Sequence, residues 1–242
     1  MSGHSHAKTV MAGKMANAAK KGKMYSKYGR LITIAVKDGG GSGDPTKNSK
    51  LKAIIEQSKK VSMPKENIER AIKKGTGELA GEALEEVSFE GFGPGGIALI
   101  IDGITDNTNR TLGEVRSIFN QNNGKMAGEG AIRWMFDRKG AIIIKLEQPK
   151  TKEELEMFAI ESGADDVKWF DEDLEIYTKP EDLETVKKAL EEKGLKIESS
   201  KLDYVAKEEV TITEKEKEQA ERLFEALDDN EAINEIYSNL KN

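Results

Sequence analysis

The chemistry most available to this sequence is that of lysine. Residues 1–77 hold 17 Lys and Arg against 5 Asp and Glu, whereas the remainder holds 21 against 39. The overall charge of −6 therefore conceals a first segment of net +12 and a second of net −18. Lys8, Lys14, Lys20, Lys21, Lys23, Lys27, Arg30 and Lys37 precede a glycine loop, and Lys47, Lys50, Lys52, Lys59, Lys60, Lys65, Arg70, Lys73 and Lys74 follow it. Lysine presents a compact charge that suits phosphate oxygens better than base edges. A charge run is ordinarily a solvated face. Here acidic partners are scarce across the whole segment, so the cations repel one another unless a polyanion compensates them. The first candidates for nucleic-acid contact are Lys8, Lys14, Lys20, Lys21, Lys23, Lys27, Arg30, Lys73 and Lys74. Tyr25 and Tyr28 could stack on bases, but their spacing places them on an apolar helix face.

A second candidate is an anion site at Thr108, Asn109 and Arg110. The stretch Asn107–Arg116 reads as a helix start, and free N–H groups there attract phosphate. Self-capping, with Arg110 paired to a nearby acid, accounts for the same residues. Thr111 with Glu114 fits a capping box, and Asn107 or Asn109 fits a cap.

Little else points to catalysis. The chain has no cysteine and two histidines, His4 and His6, both near the N-terminus. It therefore has no thiolate nucleophile or ligand, and two histidines without a third ligand make a poor metal site. Asp102, Asp106 and Asp137 lie near strand ends, but surface carboxylates are abundant. Asp171-Glu172-Asp173 reads as a solvated hairpin turn. Gly91, Gly93 and Gly96 satisfy G-x-G-x-x-G, yet a dinucleotide site needs that pattern to open a helix. Here it opens the apolar run Ile97–Ile101, which suits a strand covered on both faces. No cofactor and no metal are expected. No apolar run approaches a membrane span, no signal-peptide core is present, and a cytoplasmic monomer is the expectation.

The elements follow from periodicity. Residues 1–20 read as a mobile basic arm, with a helix from about Ala12 onward as the alternative. Tyr25, Tyr28, Ile32, Ala35 and Val36 mark a helical face over Met24–Val36, with Lys23, Lys27 and Arg30 off it. After the loop Asp38–Pro45, Leu51, Ile54, Ile55, Ser58 and Val61 mark a second helix. Pro64 opens a third, with Ile68, Ala71 and Ile72 inward, and Gly75 and Gly77 close it. Mixed α and β follows. Strands are predicted at Glu85–Glu90, Gly96–Asp102 and Ala131–Phe136, with a helix over Asn107–Asn122. Next come a strand at Ala141–Leu146, a helix carrying Leu155, Phe158 and Ala159, and a hairpin of Val167–Phe170 with Leu174–Tyr177. A helix carrying Leu183, Val186 and Leu190 and a strand at Lys196–Leu202 complete a βαββαβ run, the ferredoxin-like order. Thr213 with Glu216 boxes a helix carrying Ala220, Leu223, Phe224 and Leu227, and Ala232–Tyr237 reads as a last strand. The expected class is α+β and multi-domain: a basic helical domain (1–77), then a middle α+β domain (78–137 plus 205–242). A ferredoxin-like domain (138–204) is inserted into the middle one.

Several blocks carry a family resemblance. Phe89-Glu90-Gly91-Phe92-Gly93-Pro94-Gly95-Gly96, the run Thr105–Phe119 and the run Met63–Gly75 resemble the hallmark blocks of the YebC/PmpR family, in the family's order. Gly3-His4-Ser5 and Lys21–Lys27 are similar to two more. Where the family usually has an aromatic and Asn-Ile after Gly-His-Ser, this chain has His6-Ala7-Lys8-Thr9-Val10. The resemblance implies a helical first domain, a third domain inserted in the second, and a transcriptional regulator that binds DNA. A mitochondrial relative acts in translation, and bacterial members have been linked to ribosomes stalled on proline-rich stretches. A ribosome- or rRNA-associated translation factor is therefore the alternative. The resemblance also makes Gly3, His4 and Ser5 functional candidates.

Overall fold

The computed structural model describes residues 18–81, 83–146 and 150–241, the side chains from residue 21 onward. Contact density divides them into two compact units. One comprises residues 18–132 with Ile212–Ser238; the other comprises Arg133–Thr211 with residues 239–241. The helical region shares its unit with the first sheet, so contact density alone gives two bodies where the sequence suggests three domains.

The first unit opens with three helices, α1 (Ala18–Asp38), α2 (Ser49–Lys60) and α3 (Lys65–Thr76). Each buries one stripe. Ile32, Ala35 and Val36 of α1 pack with Leu51, Ile54 and Ile55 of α2, Met63, and Ile68 and Ala71 of α3. Tyr25 and Tyr28 pack against this core half-buried, as their spacing predicts. Asn48 caps α2, its side chain accepting from the Leu51 N–H. Gly77 ends α3 at φ 82°, in the left-handed conformation expected of a C-terminal glycine. At Gly75 a Cβ would stand 2.6 Å from Cβ of Val36, so glycine lets α1 and α3 touch backbone to side chain.

The same unit then forms an antiparallel sheet of order β3-β1-β2-β8 from β1 (Glu85–Phe92), β2 (Ala98–Thr105), β3 (Lys125–Met126) and β8 (Ile233–Ser238). Helix α4 (Thr108–Gln121) follows β2, and α7 (Glu214–Asp228) precedes β8. Ile97 to Ile101 are wholly buried, which is why that run carries no alternation. Strands far apart in sequence pair here, Leu99 with Ser238 and Ile101 with Ile236. The chain thus leaves this unit after Ile132 and returns to finish its sheet.

The second unit is the excursion. It contains β4 (Phe136–Lys145), α5 (Lys152–Glu161), β5 (Asp166–Phe170), β6 (Asp173–Thr178), α6 (Leu183–Glu192) and β7 (Ile197–Ala206). The sheet order β5-β6-β4-β7, all antiparallel, is the ferredoxin-like topology read from the sequence. Its core joins Ile142, Ile144, Leu174 and Ile176 of the sheet to Leu155, Ala159, Val186 and Leu190 of the helices.

Two local expectations change. Ala131–Phe136 is not a strand: Arg133–Met135 forms a 3₁₀ turn, and β4 runs unbroken from Phe136. The alternation of Ile132, Trp134 and Phe136 suggests a strand, but buried Glu90 takes the N–H donors of Gly130 (2.8 Å) and Ile132 (2.7 Å). Trp134 is consequently 67% exposed. Second, α4 is capped by Asn107 rather than by a Thr111–Glu114 box. Thr111 is buried and bonds the Thr105 hydroxyl at 2.8 Å. The box read at Thr213 and Glu216 is formed, both halves present.

In the glycine-rich connection, Gly93 is extended and Pro94–Gly96 forms a one-turn 3₁₀ segment that leads into β2. It opens a strand, so the dinucleotide pattern lacks its helix. Gly95 has φ +70°, and a Cβ there would meet Ile212 at 2.4 Å. Gly95→Val is expected to lower unfolding stability by roughly 2 kcal/mol, combining backbone strain with overpacking. Urea denaturation measures this, and calorimetry with ATP or NAD is expected to give no specific binding to the unsubstituted chain.

Candidate nucleic-acid interface

The cations nominated from sequence divide into two sets. Lys23, Lys27 and Arg30 fall on one face of α1, because positions spaced four and seven apart align along a helix. That face meets the end of α7. Lys23 pairs with Asp229 at 3.4 Å, Lys27 with Asp228 at 2.9 Å, and Arg30 with Glu231 at 3.6 Å. Lys27 is 6% exposed. Its ammonium donates to the Asp228 carboxylate and also to the Asp228 backbone carbonyl. Cations at a helix C-terminus offset its dipole, and here they also offset three acids placed there. A buried, paired ammonium offers no charge to an outside phosphate, so Lys27 acts within the fold. The spacing 23, 27, 30 and the acidic run Asp228, Asp229 and Glu231 are the sequence signals for this contact, and some two hundred positions separate them.

The second set faces outward. Lys21, Lys73 and Lys74 are exposed, as are Lys37, Lys52, Lys59 and Arg70. Among the described residues none of these seven makes an ion pair. Lys20 belongs to α1, and its side chain lies outside the described residues, as do Lys8, Lys14 and Gly3-His4-Ser5. Arg30, Arg70 and Lys74 also line a cleft of about 440 Å³ between α1 and α3. Gly22, Ser26 and Gly29 of α1 line it as well. The sequence signal for the cleft is faint: two glycines seven apart inside a helical pattern.

The start of α4 is assembled differently. Arg110 donates to Asp106 at 2.5 Å and approaches Glu114 at 3.7 Å. The Thr108 hydroxyl bonds Glu85 at 3.3 Å, and Asn107 takes the Arg110 N–H. Hydrogen bonding from the Arg110 guanidinium holds the Asp106 carboxyl below the usual carboxylate range. The Thr108, Asn109 and Arg110 group is therefore a self-capped turn with three carboxylates around it, which disfavours an added anion.

No helix among the described residues is long and apolar enough to cross a membrane. Together these features define an α+β protein with two four-stranded antiparallel sheets and a basic helical region. Residues 5–78 match the model of the TACO1/YebC protein N-terminal domain, and residues 84–240 match that of the TACO1/YebC second and third domain. The chain belongs to the TACO1/YebC family. It is 43% identical over 241 residues to a probable transcriptional regulatory protein of Thermotoga maritima, covering 100% of this chain and 94% of that one. It is 42% identical over 239 residues to one of Dictyoglomus turgidum, covering 99% and 95%. The crystal structure of a conserved hypothetical protein from Aquifex aeolicus is similar, with TM-score 0.83 and 40% identity over 94% of this chain and 92% of that one.

The Lys27 contact yields a graded prediction. Lys27→Ala strands a largely buried carboxylate and is expected to cost about 3 kcal/mol in unfolding stability. Lys23→Ala, at an exposed pair, is expected to cost less than about 1 kcal/mol. Lys27→Met with Asp228→Leu together is expected to recover most of the loss, read by urea denaturation of all four proteins.

Proposed function

We propose that this protein is a non-enzymatic nucleic-acid-binding regulator whose helical region holds the phosphate backbone of DNA. The observation that carries the reading is the set of exposed cations on that region, Lys21, Lys37, Lys52, Lys59, Arg70, Lys73 and Lys74, none ion-paired among the described residues. Like charges so arranged repel, and a polyanion relieves the repulsion. The rest of the chain is acidic and repels the same polyanion, which directs binding to the helical region. Relatives named as probable transcriptional regulatory proteins support DNA as the target. A cytoplasmic setting goes with that target.

Lysine contacts carry no sequence information directly. They suit structured RNA equally, so a ribosome-associated role is the second reading. Three functional parts belong to the proposal: residues 1–77 for binding, 78–137 with 205–242 as the body, and 138–204 as the insertion. The boundary between the two family matches, at residues 78 and 84, supports the first division.

The reading predicts a steep salt dependence. If roughly six of these cations meet phosphates, log affinity falls against log salt with a slope of about −5 on duplex DNA and about −4 on single strands. Unrelated duplexes of equal length bind alike. A salt titration with two such duplexes and one structured RNA checks this; a flat response, or a thousandfold preference for one duplex, contradicts it. Crosslinking in cells with sequencing of the bound nucleic acid separates the two targets, promoter DNA supporting the first and rRNA the second.

A further inference from the structure

Residues 1–77 contain two arginines among fifteen lysines, and both arginines, Arg30 and Arg70, line the cleft between α1 and α3. The guanidinium differs from ammonium in that its planar fork binds a phosphate through two parallel hydrogen bonds. Arg30 also approaches Glu231 at 3.6 Å, whereas Arg70 makes no ion pair among the described residues. Lys74 adds a third cation, and no carboxylate is among the described residues lining the cleft. At about 440 Å³ the space lies in the range of small-ligand pockets.

The α1 side of the cleft supplies a second, independent observation. Gly22 and Gly29 stand inside a helix, where glycine is less stable than alanine. A Cβ on either would meet nothing within 4 Å among the described residues. Gly75 is different: its missing Cβ admits Val36, so the packing of this chain accounts for it. Packing among the described residues does not account for Gly22 or Gly29. What their missing side chains leave is bare helix backbone along the cleft, over about 10 Å of helix axis. Glycine of this kind lets a ligand approach the main chain closely.

We propose that this cleft seats a phosphodiester group of one nucleic-acid strand, gripped by Arg70 and Arg30 over the bare stretch of α1. It rests on the reading that the helical region binds nucleic acid, and it assigns the grip to one place on that region. The outward lysines attract the strand from a distance; the cleft holds it. A phosphodiester fits better than an isolated acidic side chain because exposed Lys21 and Lys73 stand next in sequence to the lining residues Gly22 and Lys74, and a ligand that repeats its charge can use them too.

The test uses the full chain and fluorescence anisotropy with a labelled single-stranded oligonucleotide and a labelled duplex. Gly29→Leu and Gly22→Leu fill the cleft without changing charge. Each is expected to weaken binding about tenfold, with circular dichroism unchanged and a thermal midpoint no lower than that of the parent chain. Arg70→Lys keeps the charge and removes the fork, and is expected to weaken binding to a similar degree with the salt slope unchanged. Lys52→Ala, outside the cleft, is expected to lower the slope by about one unit while affecting affinity far less. If Gly29→Leu does not fold, the Arg70→Lys result still decides. Parent-like affinity in the glycine and Arg70 variants, with the salt slope intact, overturns the cleft and leaves the general reading standing. Absence of any binding by the parent chain overturns both. Binding of an oligoglutamate peptide that the glycine variants abolish, while the oligonucleotide is unaffected, overturns the proposal in favour of an acidic protein partner.

Discussion

A lysine taken almost wholly out of water must have its charge answered inside the fold, and the place where Lys27 meets Asp228 determines how this protein uses the rest of its charge. The ammonium bonds both the carboxylate and the last carbonyl of α7. Removing either partner within the fold would leave the other charge unanswered, at a cost of several kcal/mol. Lys23 and Arg30, one turn away on either side, add weaker pairs at the rim. The basic helical region and the acidic body are thereby held together through the few cations that find acids. The remaining cations are turned outward.

This arrangement separates two tasks that the composition blends. The sheet unit obtains its stability from apolar burial: Ile97 to Ile101 lie wholly inside, and β8 closes the sheet after the excursion through Arg133–Thr211. The helical region has a smaller core, with Ile32, Leu51 and Ile68 at its centre, and a surface dominated by lysine. On the reading proposed above, the outward lysines attract the ligand, while Arg30 serves both the fold and the cleft. Exposed lysines can change with little effect on folding, whereas Lys27 belongs to the folding side despite lying in the basic segment.

Much of the architecture was legible because it is written in local patterns. The three helices, most of the strands and the ferredoxin-like order each follow from apolar spacing and turn residues within a few positions of one another. The Thr213–Glu216 box was legible for the same reason. What escaped depends on contacts distant in sequence. Trp134 reads as a strand residue until Glu90, more than forty positions earlier, captures the donors of Gly130 and Ile132. Lys27 reads as a surface cation until Asp228, 201 positions later, reaches it. Gly22 and Gly29 look like weak points in a helix until α3 is placed opposite them.

The central claim is that phosphate is held on the outward face of the helical region and nowhere on the acidic body. Backbone amide chemical shifts of the ¹⁵N-labelled full chain, followed while a short oligonucleotide is added at low salt, test it most directly. The account predicts shifts concentrated in Lys21–Lys37 and Lys65–Gly77, with α5 and α6 unmoved. Shifts confined to α5, α6 or the α4 start, with α1 and α3 silent, would contradict it.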